Sequence, residues 1–337
     1  IGLNPDILVC RTEQNHHLTQ KLKKKLALFC NVENQNVFES PDVNTIYEIP
    51  LVLYNQNFDQ TIVNRLNINN DMQHTKIDYL KNAMDIYKSP KYEVNIAMCG
   101  KYNSLHDAYK SILEAFIHAG IFNDAKINVK WVDTEKLESD ENFKDSFKNV
   151  DGILIPGGFG DRGIEGKIMS AQYARENNVP FLGICLGMQC AVIDFARNVC
   201  NLKDSNSREF NKKTPHPVID LMSSQHNVKD KGATMRLGKY SCVVSKNSNT
   251  FQAYDQVTIN ERHRHRFEFN NKYRDLFKNE GLSITGINKK LDLVEIVEYK
   301  DHNWFVGVQF HPELKSRIVK VHPLFKDFIS AAIKYKS

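Results

Sequence analysis

The feature that most constrains this chain is a regular alternation of elements between residues 93 and 200. Apolar runs of strand length, "EVNIAMCG" (93–100), "INVKWVD" (127–133), "DGILIPGG" (151–158) and "PFLGI" (180–184), alternate with stretches of helical periodicity over 105–119, 164–177 and 186–200. The first helical stretch sets Ala108, Ile112 and Phe116 along one face. Strands separated by helices build a mostly parallel sheet with helices packed against it, so the fold class is α/β. After residue 210 the pattern changes to shorter strands, among them "YSCVVS", "LDLVEIVEY" and "WFVGVQF", before a last helix near 323–335.

The first part reads differently. "DILVC" (6–10) and "LALFCNV" (26–32) are expected to be short buried strands, with "KLKKK" on a helix-like segment between them, and 51–92 is helical and polar. Proline pushes the preceding residue out of the helical region, so Ser89-Pro90 suits a boundary, and a domain border is expected near residue 92. That gives two domains, 1–92 and 93–337. The chain lacks an initiator methionine and is expected to be the later part of a longer protein.

Composition narrows the function classes. With 41% hydrophobic and 25% charged residues the 337-residue chain is an ordinary globular one. The formal charge of +5 is spread along the chain, which disfavours a nucleic-acid partner. No run approaches the roughly 18 apolar residues of a membrane span, so no membrane partner is expected. Seven cysteines without a CxxC pair argue against a disulfide framework or a zinc knuckle, and fit a reducing, cytoplasmic setting with no metal site.

Two glycine-rich turns follow strands: "PGGFGDRG" (156–163) and "GICLG" (183–187). Ligand sites in open α/β sheets lie beyond the carboxyl ends of strands. A cysteine at a tight strand-to-helix corner, Cys185, is either a buried structural thiol or a nucleophile presented outward, whose thiolate the following helix N-terminus would favour. Backbone amides of these glycine-rich turns and of Leu186 could receive an oxyanion. His311, at the end of "WFVGVQFHPEL", could serve as base, with Glu313 two residues on fixing its tautomer if the segment is extended. In "ERHRHRFEF" (261–269) Arg262, Arg264 and Arg266 share one face and His263 and His265 the other. That run fits an anion-binding face or a solvated edge strand. Glu209, in "NSREF", offers a carboxylate. Arg11, Lys25 and the 41–50 stretch suit phosphate or plain surface charge. No GxxxxGK[ST] loop occurs, so a nucleotide here would have its main phosphate cradle elsewhere.

In order, "PGGFGDRG", "GICLGMQ", "NSREF", "ATMRLG", "ERHRHRFE" and "QFHPE" resemble the glutamine amidotransferase domain of the CTP synthase family. "NPDILVCR", "LALFCNV" and "DVNTIYEIP" resemble the end of that family's P-loop-like synthetase domain. The resemblance implies a class I glutamine amidotransferase fold and assigns roles by position. Cys185 would be the nucleophile, His311 its base and Glu313 the orienting carboxylate. Gly158, Leu186, Gly187, Met188, Gln189, Glu209 and Arg266 would hold glutamine or its oxyanion. Lys25, Arg11, Asp42 and Val43 would lie on the UTP and ATP side, and no site is expected in 222–233.

The implied reaction is hydrolysis of L-glutamine through a thioester, supplying ammonia for ATP-dependent amination of UTP to CTP. The amidotransferase domain would need no cofactor. The complete enzyme would use ATP and Mg2+, respond to GTP, and assemble as a homotetramer or filament. Two alternatives remain: a glutaminase serving another acceptor, or a catalytically silent filament-forming paralogue.

Overall fold

The structure, a computed structural model, describes residues 4–13, 16–68, 77–101, 106–221 and 235–337. The stretch 222–233, and with it Ala233 and Thr234 of the "ATMRLG" motif, lies outside the described residues, as does Leu105. The chain divides into two compact units between Ser89 and Pro90.

In the smaller unit β1 (Leu8–Thr12) and β2 (Val37–Pro41) pair in parallel, with Leu8 opposite Val37 and Thr12 opposite Pro41. Between them runs α1 (Gln20–Cys30). The expected strand over 26–32 is therefore corrected: its first five residues complete the helix that carries the lysines. Lys, Leu and Ala are strong helix formers. Thr19 accepts from the Leu22 N–H to start the helix, and Asn31 in the left-handed region ends it. Leu28 and Phe29 are 80% and 75% exposed, so this apolar run faces solvent. β2 instead buries Val37 and Phe38, and the Phe38 ring meets Phe58 edge-on at 4.9 Å. Helices α2 (Ile49–Tyr54), α3 (Phe58–Arg65) and α4 (Ile77–Lys88) complete the unit.

The larger unit opens with β3 (Tyr92–Gly100), α5 (Lys110–Phe122), β4 (Ala125–Asp133), α6 (Thr134–Leu137) and β5 (Gly152–Ile155). It continues through α7 (Ile164–Glu176), β6 (Phe181–Ile184), α8 (Leu186–Asn198), β7 (Asn206–Ser207), β8 (Pro217–Leu221) and β9 (Arg236–Val244). After α9 (Asn249–Tyr254) come β10 (Thr258–His265), β11 (Phe267–Phe269), α10 (Arg274–Asn279), β12 (Leu282–Asn288), β13 (Leu293–Tyr299), β14 (Phe305–Val308) and α11 (Pro323–Lys336). The fold is that of an α/β protein with a parallel core: β14, β6, β5, β3 and β4 are neighbours in parallel. An antiparallel wing, β10-β9-β12-β13, extends the same sheet to nine strands. A small sheet of order β11-β8-β7 stands apart.

Side chains of successive strand residues point to opposite faces, and the parallel strands use both. Val94, Ile96 and Met98 of β3 join Ile112 and Phe116 of α5 and Phe325 and Phe328 of α11 on one face. Ala97 and Cys99 join Ala171, Ala174 and Ala191 of α7 and α8 on the other. The expected Ala108 contact is replaced: Ala108 is exposed and Tyr109 is buried, because a short 3-10 turn precedes α5. Arg175 of α7 donates from Nε and one terminal nitrogen to Asp194 of α8 at 2.8 and 3.1 Å, clamping the two helices.

α8 lies flush against the end of β5, and Gly187 permits the approach: a Cβ there would stand 2.2 Å from the Ile155 carbonyl oxygen. Backbone atoms cannot yield as a flexible side chain can. Gly187→Ala is expected to cost about 1–3 kcal/mol through overpacking and to lower the thermal unfolding midpoint. An unchanged midpoint in calorimetry would show that α8 can lift from the sheet.

Candidate active site

The site is set by the register of two parallel strands. Ile184 of β6 lies opposite Val308 of β14, and the Cys185 N–H continues the ladder to the Val308 carbonyl at 2.7 Å. The next residues, Cys185 and Gln309, thus leave their strands side by side. At that point the chain turns sharply into α8. Cys185 has φ 52° and ψ −101°, a left-handed conformation that costs a β-carbon-bearing residue about 1–3 kcal/mol. Packing on both sides holds it there. The N–H groups of Leu186, Gly187 and Met188 form the first turn of α8 and have no acceptor within the helix. The Gly158 position lies against Leu186, where an added Cβ would meet Leu186 Cδ2 at 3.6 Å.

His311 is held by its own N–H, which donates to the Arg262 carbonyl of β10 at 2.8 Å. Its Nδ1 lies 2.7 Å from Glu313 Oε1. An ionised carboxylate only accepts, so this contact places a proton on Nδ1. The pairing expected from the sequence is present, but its stated geometry is corrected: Pro312–Leu314 is a 3-10 turn, not extended chain, and the turn swings Glu313 back to the imidazole. His311 Nε2 is buried and makes no well-aligned hydrogen bond in the resting chain. Burial by itself pushes the imidazole down, but the Cys185 sulfur and the Glu313 carboxylate outweigh it and raise the pKa to about 10. Resting hydrogen bonds in active sites are often poorly aligned before substrate arrives. Gly157 completes the corner: a Cβ there would stand 2.7 Å from His311 Cε1 and 3.5 Å from Cys185 Cβ.

Glu209 follows β7, its N–H donating to Ser207 Oγ at 3.1 Å. Burial pushes its carboxyl up, while the Gly160 N–H and the positive charges of Arg266 and Lys101 pull it back. Glu209, Arg266 and the 157–160 turn are therefore neighbours. β10 has the alternation read from the sequence, with Arg262 and Arg264 exposed and His263 and His265 buried, and it is an edge strand. Arg266 does not continue the arginine face. The chain bends there, between β10 and β11 of a different sheet, and the Arg266 charge is near enough to lower the Glu209 carboxyl.

Gln189 is buried, its Nε2 donating to the Phe267 carbonyl at 3.1 Å and to Gln309 Oε1 at 3.2 Å. Residues the sequence reading passed over include Gln309, Gly157, and Phe159, whose ring lies 5.6 Å from the Arg264 guanidinium. In the smaller unit Arg11 and Asp42 come together at the carboxyl end of the parallel pair, 3.2 Å apart and both exposed. Val43 follows, half-buried, whereas Lys25 projects from α1. All seven cysteines are free, and burial pushes the Cys99 and Cys190 thiols up to about 12. Among the described residues no group of three or more potential ligands could hold a metal ion, and no helix is long and apolar enough to cross a membrane.

Known proteins resemble this chain. The glutamine amidotransferase class-I family matches residues 104–331, and the CTP synthase N-terminus family matches residues 1–68. The chain is 54% identical to the CTP synthase of Syntrophus aciditrophicus over 336 residues, covering all of this chain and 62% of that protein. It is 51% identical to the CTP synthase of Chlorobaculum tepidum, covering 99% of this chain and 59% of that one. The chain thus spans about three fifths of the length of these relatives. Among solved structures, the glutaminase domain of Trypanosoma brucei CTPS with bound acivicin superposes with a TM-score of 0.68 at 39% identity, covering 72% of this chain and 94% of that one.

The raised imidazole makes a prediction with a definite sign. A histidine whose pKa rises on folding stabilises the folded chain fully below its unfolded value of about 6.5 and loses that contribution as pH climbs. Here the loss completes as pH passes through about 10. The stability gap between the native chain and His311→Gln should therefore narrow from neutral pH to pH 10 in denaturant titrations. Glu313→Gln should move the His311 NMR titration to lower pH. A titration that stays put in that variant would remove Glu313 as the partner.

Proposed function

The chain belongs to the class-I glutamine amidotransferase family, in its CTP synthase branch, and we propose that residues 90–337 hydrolyse L-glutamine through a thioester on Cys185. One observation carries this reading: Cys185 sits at a strained strand-to-helix corner beside an imidazole that Glu313 holds protonated on Nδ1.

The thiolate attacks the carboxamide carbon, and the electron pair of the carbonyl moves onto oxygen beside the amide groups of Leu186 and Gly158. His311 gives a proton to the amide nitrogen, the C–N bond breaks, and ammonia leaves. The neutral imidazole then takes a proton from water, hydroxide adds to the thioester carbon, and the C–S bond breaks to release glutamate and restore the thiolate. Glu209 and Arg266, carboxylate beside guanidinium, match the ammonium and carboxylate of the substrate's amino-acid end. Gly187, Met188 and Gln189 support the wall around them.

For the whole protein we propose that the ammonia aminates UTP to CTP at the expense of ATP, with residues 1–89 as the end of the synthetase domain. Arg11, Asp42, Val43 and Lys25 would lie on its nucleotide side, and GTP activation and tetrameric or filamentous assembly come with this branch. ATP would be used together with Mg2+ in that domain. Seven unpaired thiols suit a reducing compartment such as the cytoplasm.

Cys185→Ala is expected to abolish glutamate release while the chain stays folded, and normal release would end the assignment. Glu209→Ala and Arg266→Ala should each raise KM roughly a hundred-fold, because each leaves a substrate charge unpaired, and should change kcat less. Saturation curves decide this, and an unchanged KM would take that residue out of the site.

A further inference from the structure

We propose that Gln309 is a further catalytic residue: its side-chain N–H donates to the Cys185 sulfur and stabilises the thiolate that attacks the amide and departs from the thioester. Gln189 is the positioning residue that fixes the orientation of this donor. The inference rests on Cys185 being the nucleophile.

The strand register brings the pair together. Val308 and Ile184 are opposite each other on parallel strands, and the residues that follow them place Gln309 Nε2 3.7 Å from Cys185 Sγ, within reach of a large, polarisable acceptor. A chain of hydrogen bonds decides which end of the amide faces the sulfur. The Phe267 carbonyl can only accept, so Gln189 must present its NH2 group there, at 3.1 Å. The same NH2 group reaches Gln309 Oε1 at 3.2 Å, and that leaves the Gln309 NH2 group for Cys185. Gln309 is fully buried and Gln189 is 3% exposed, so water does not compete for these groups. On another side of the sulfur the Arg264 carbonyl stands 4.0 Å away, an acceptor for the proton of the neutral thiol. The nucleophile thus has an acceptor placed for its S–H form and a donor placed for its anionic form. A hydrogen bond to a charged acceptor is about twice as strong as one between neutral groups, so the amide favours the thiolate over the thiol.

The test uses the full chain and a probe that needs no substrate. Iodoacetamide alkylation of Cys185 is followed against pH by peptide mass mapping, which separates it from the other six cysteines. Gln309→Met removes the donor at similar volume. Gln309→Glu keeps the shape, and its carboxylate, once ionised, cannot donate. With Gln309→Met the midpoint of the alkylation profile should rise by roughly one pH unit, a ten-fold loss of rate at pH well below the midpoint, and with Gln309→Glu by more. Glutaminase kcat should fall in parallel with little change in KM. Gln189→Met, which frees the Gln309 amide to turn over, should shift the midpoint in the same direction by less. A role limited to packing would lower the unfolding temperature and leave the midpoint where it is, and that result in either folded Gln309 variant overturns the proposal. Should Gln309→Met fail to fold, the isosteric glutamate variant carries the measurement. Failure of the underlying reading looks different: glutamate release would survive complete alkylation of Cys185 in the native chain.

Discussion

The register between β6 and β14 is the constraint on which the rest of the larger unit depends. Because Phe181 lies opposite Phe305 and Ile184 opposite Val308, both strands end at the same level. The stack of Phe181 on Phe305, with ring centroids 4.2 Å apart, locks that level from the start of the pair. From one strand end the chain turns into α8 with Cys185 at the corner. From the other it passes through Gln309 to His311. A slip of one residue would turn every side chain of a strand to its other face and would separate thiol from imidazole. The left-handed conformation of Cys185 follows from the same constraint: α8 has to start at once, flush on the end of β5, and Gly187 is what lets it do so.

The placement of charge explains why two buried imidazoles, His263 and His311, are driven in opposite directions. His263 is buried two residues before His265, and burial followed by the charges of Arg236, His265 and His311 pushes its pKa down to about 2. Its nearest carboxylate, Glu295, is 3.6 Å away but already accepts from Arg236, and burial pushes Glu295 up to about 7. His311 has Glu313 to itself at 2.7 Å. Burial works against both imidazoles, so the difference comes from whether a committed carboxylate is at hand. The proton therefore rests on the ring beside the Cys185 thiol.

What could be read from the sequence, and what could not, follows from the range of the interactions involved. β5 and β6 were legible because a strand buried on both faces is apolar throughout, and 151–158 and 180–184 have that character with glycines in or beside them. "LALFC" is equally apolar yet helical and exposed, since periodicity over five residues cannot distinguish a strand from the end of a helix. β2 was missed because "VFESP" is short and polar, and only its pairing with β1 makes it a strand. The Cys185, His311 and Glu313 set was legible as residue types at telling places. The turn that brings Glu313 to His311 was not, and neither was Gln309, which reads as one more strand residue until β6 is laid beside it.

The two kinds of work at this site sit on different kinds of structure. Thiol, imidazole and carboxylate come from strand ends and the turns directly attached to them, where the sheet fixes backbone positions tightly and short distances such as that between His311 and Glu313 are enforced. The groups suited to a zwitterion lie further from the sheet. Glu209 is on the turn after a two-residue strand, and Arg266 is at the bend between strands of two separate sheets. Both are only partly buried. Recognition tolerates this arrangement because a charged pair acts over several ångströms, whereas attack and proton transfer do not. The Arg266 charge also offsets part of the desolvation that burial imposes on the Glu209 carboxylate. Under the proposed reading, an amino acid that brings both an ammonium and a carboxylate would satisfy both groups, while a ligand with only one charge would strand the second. Selection for the amino-acid end of glutamine would then follow from placing opposite charges near each other beside the strand-end corner.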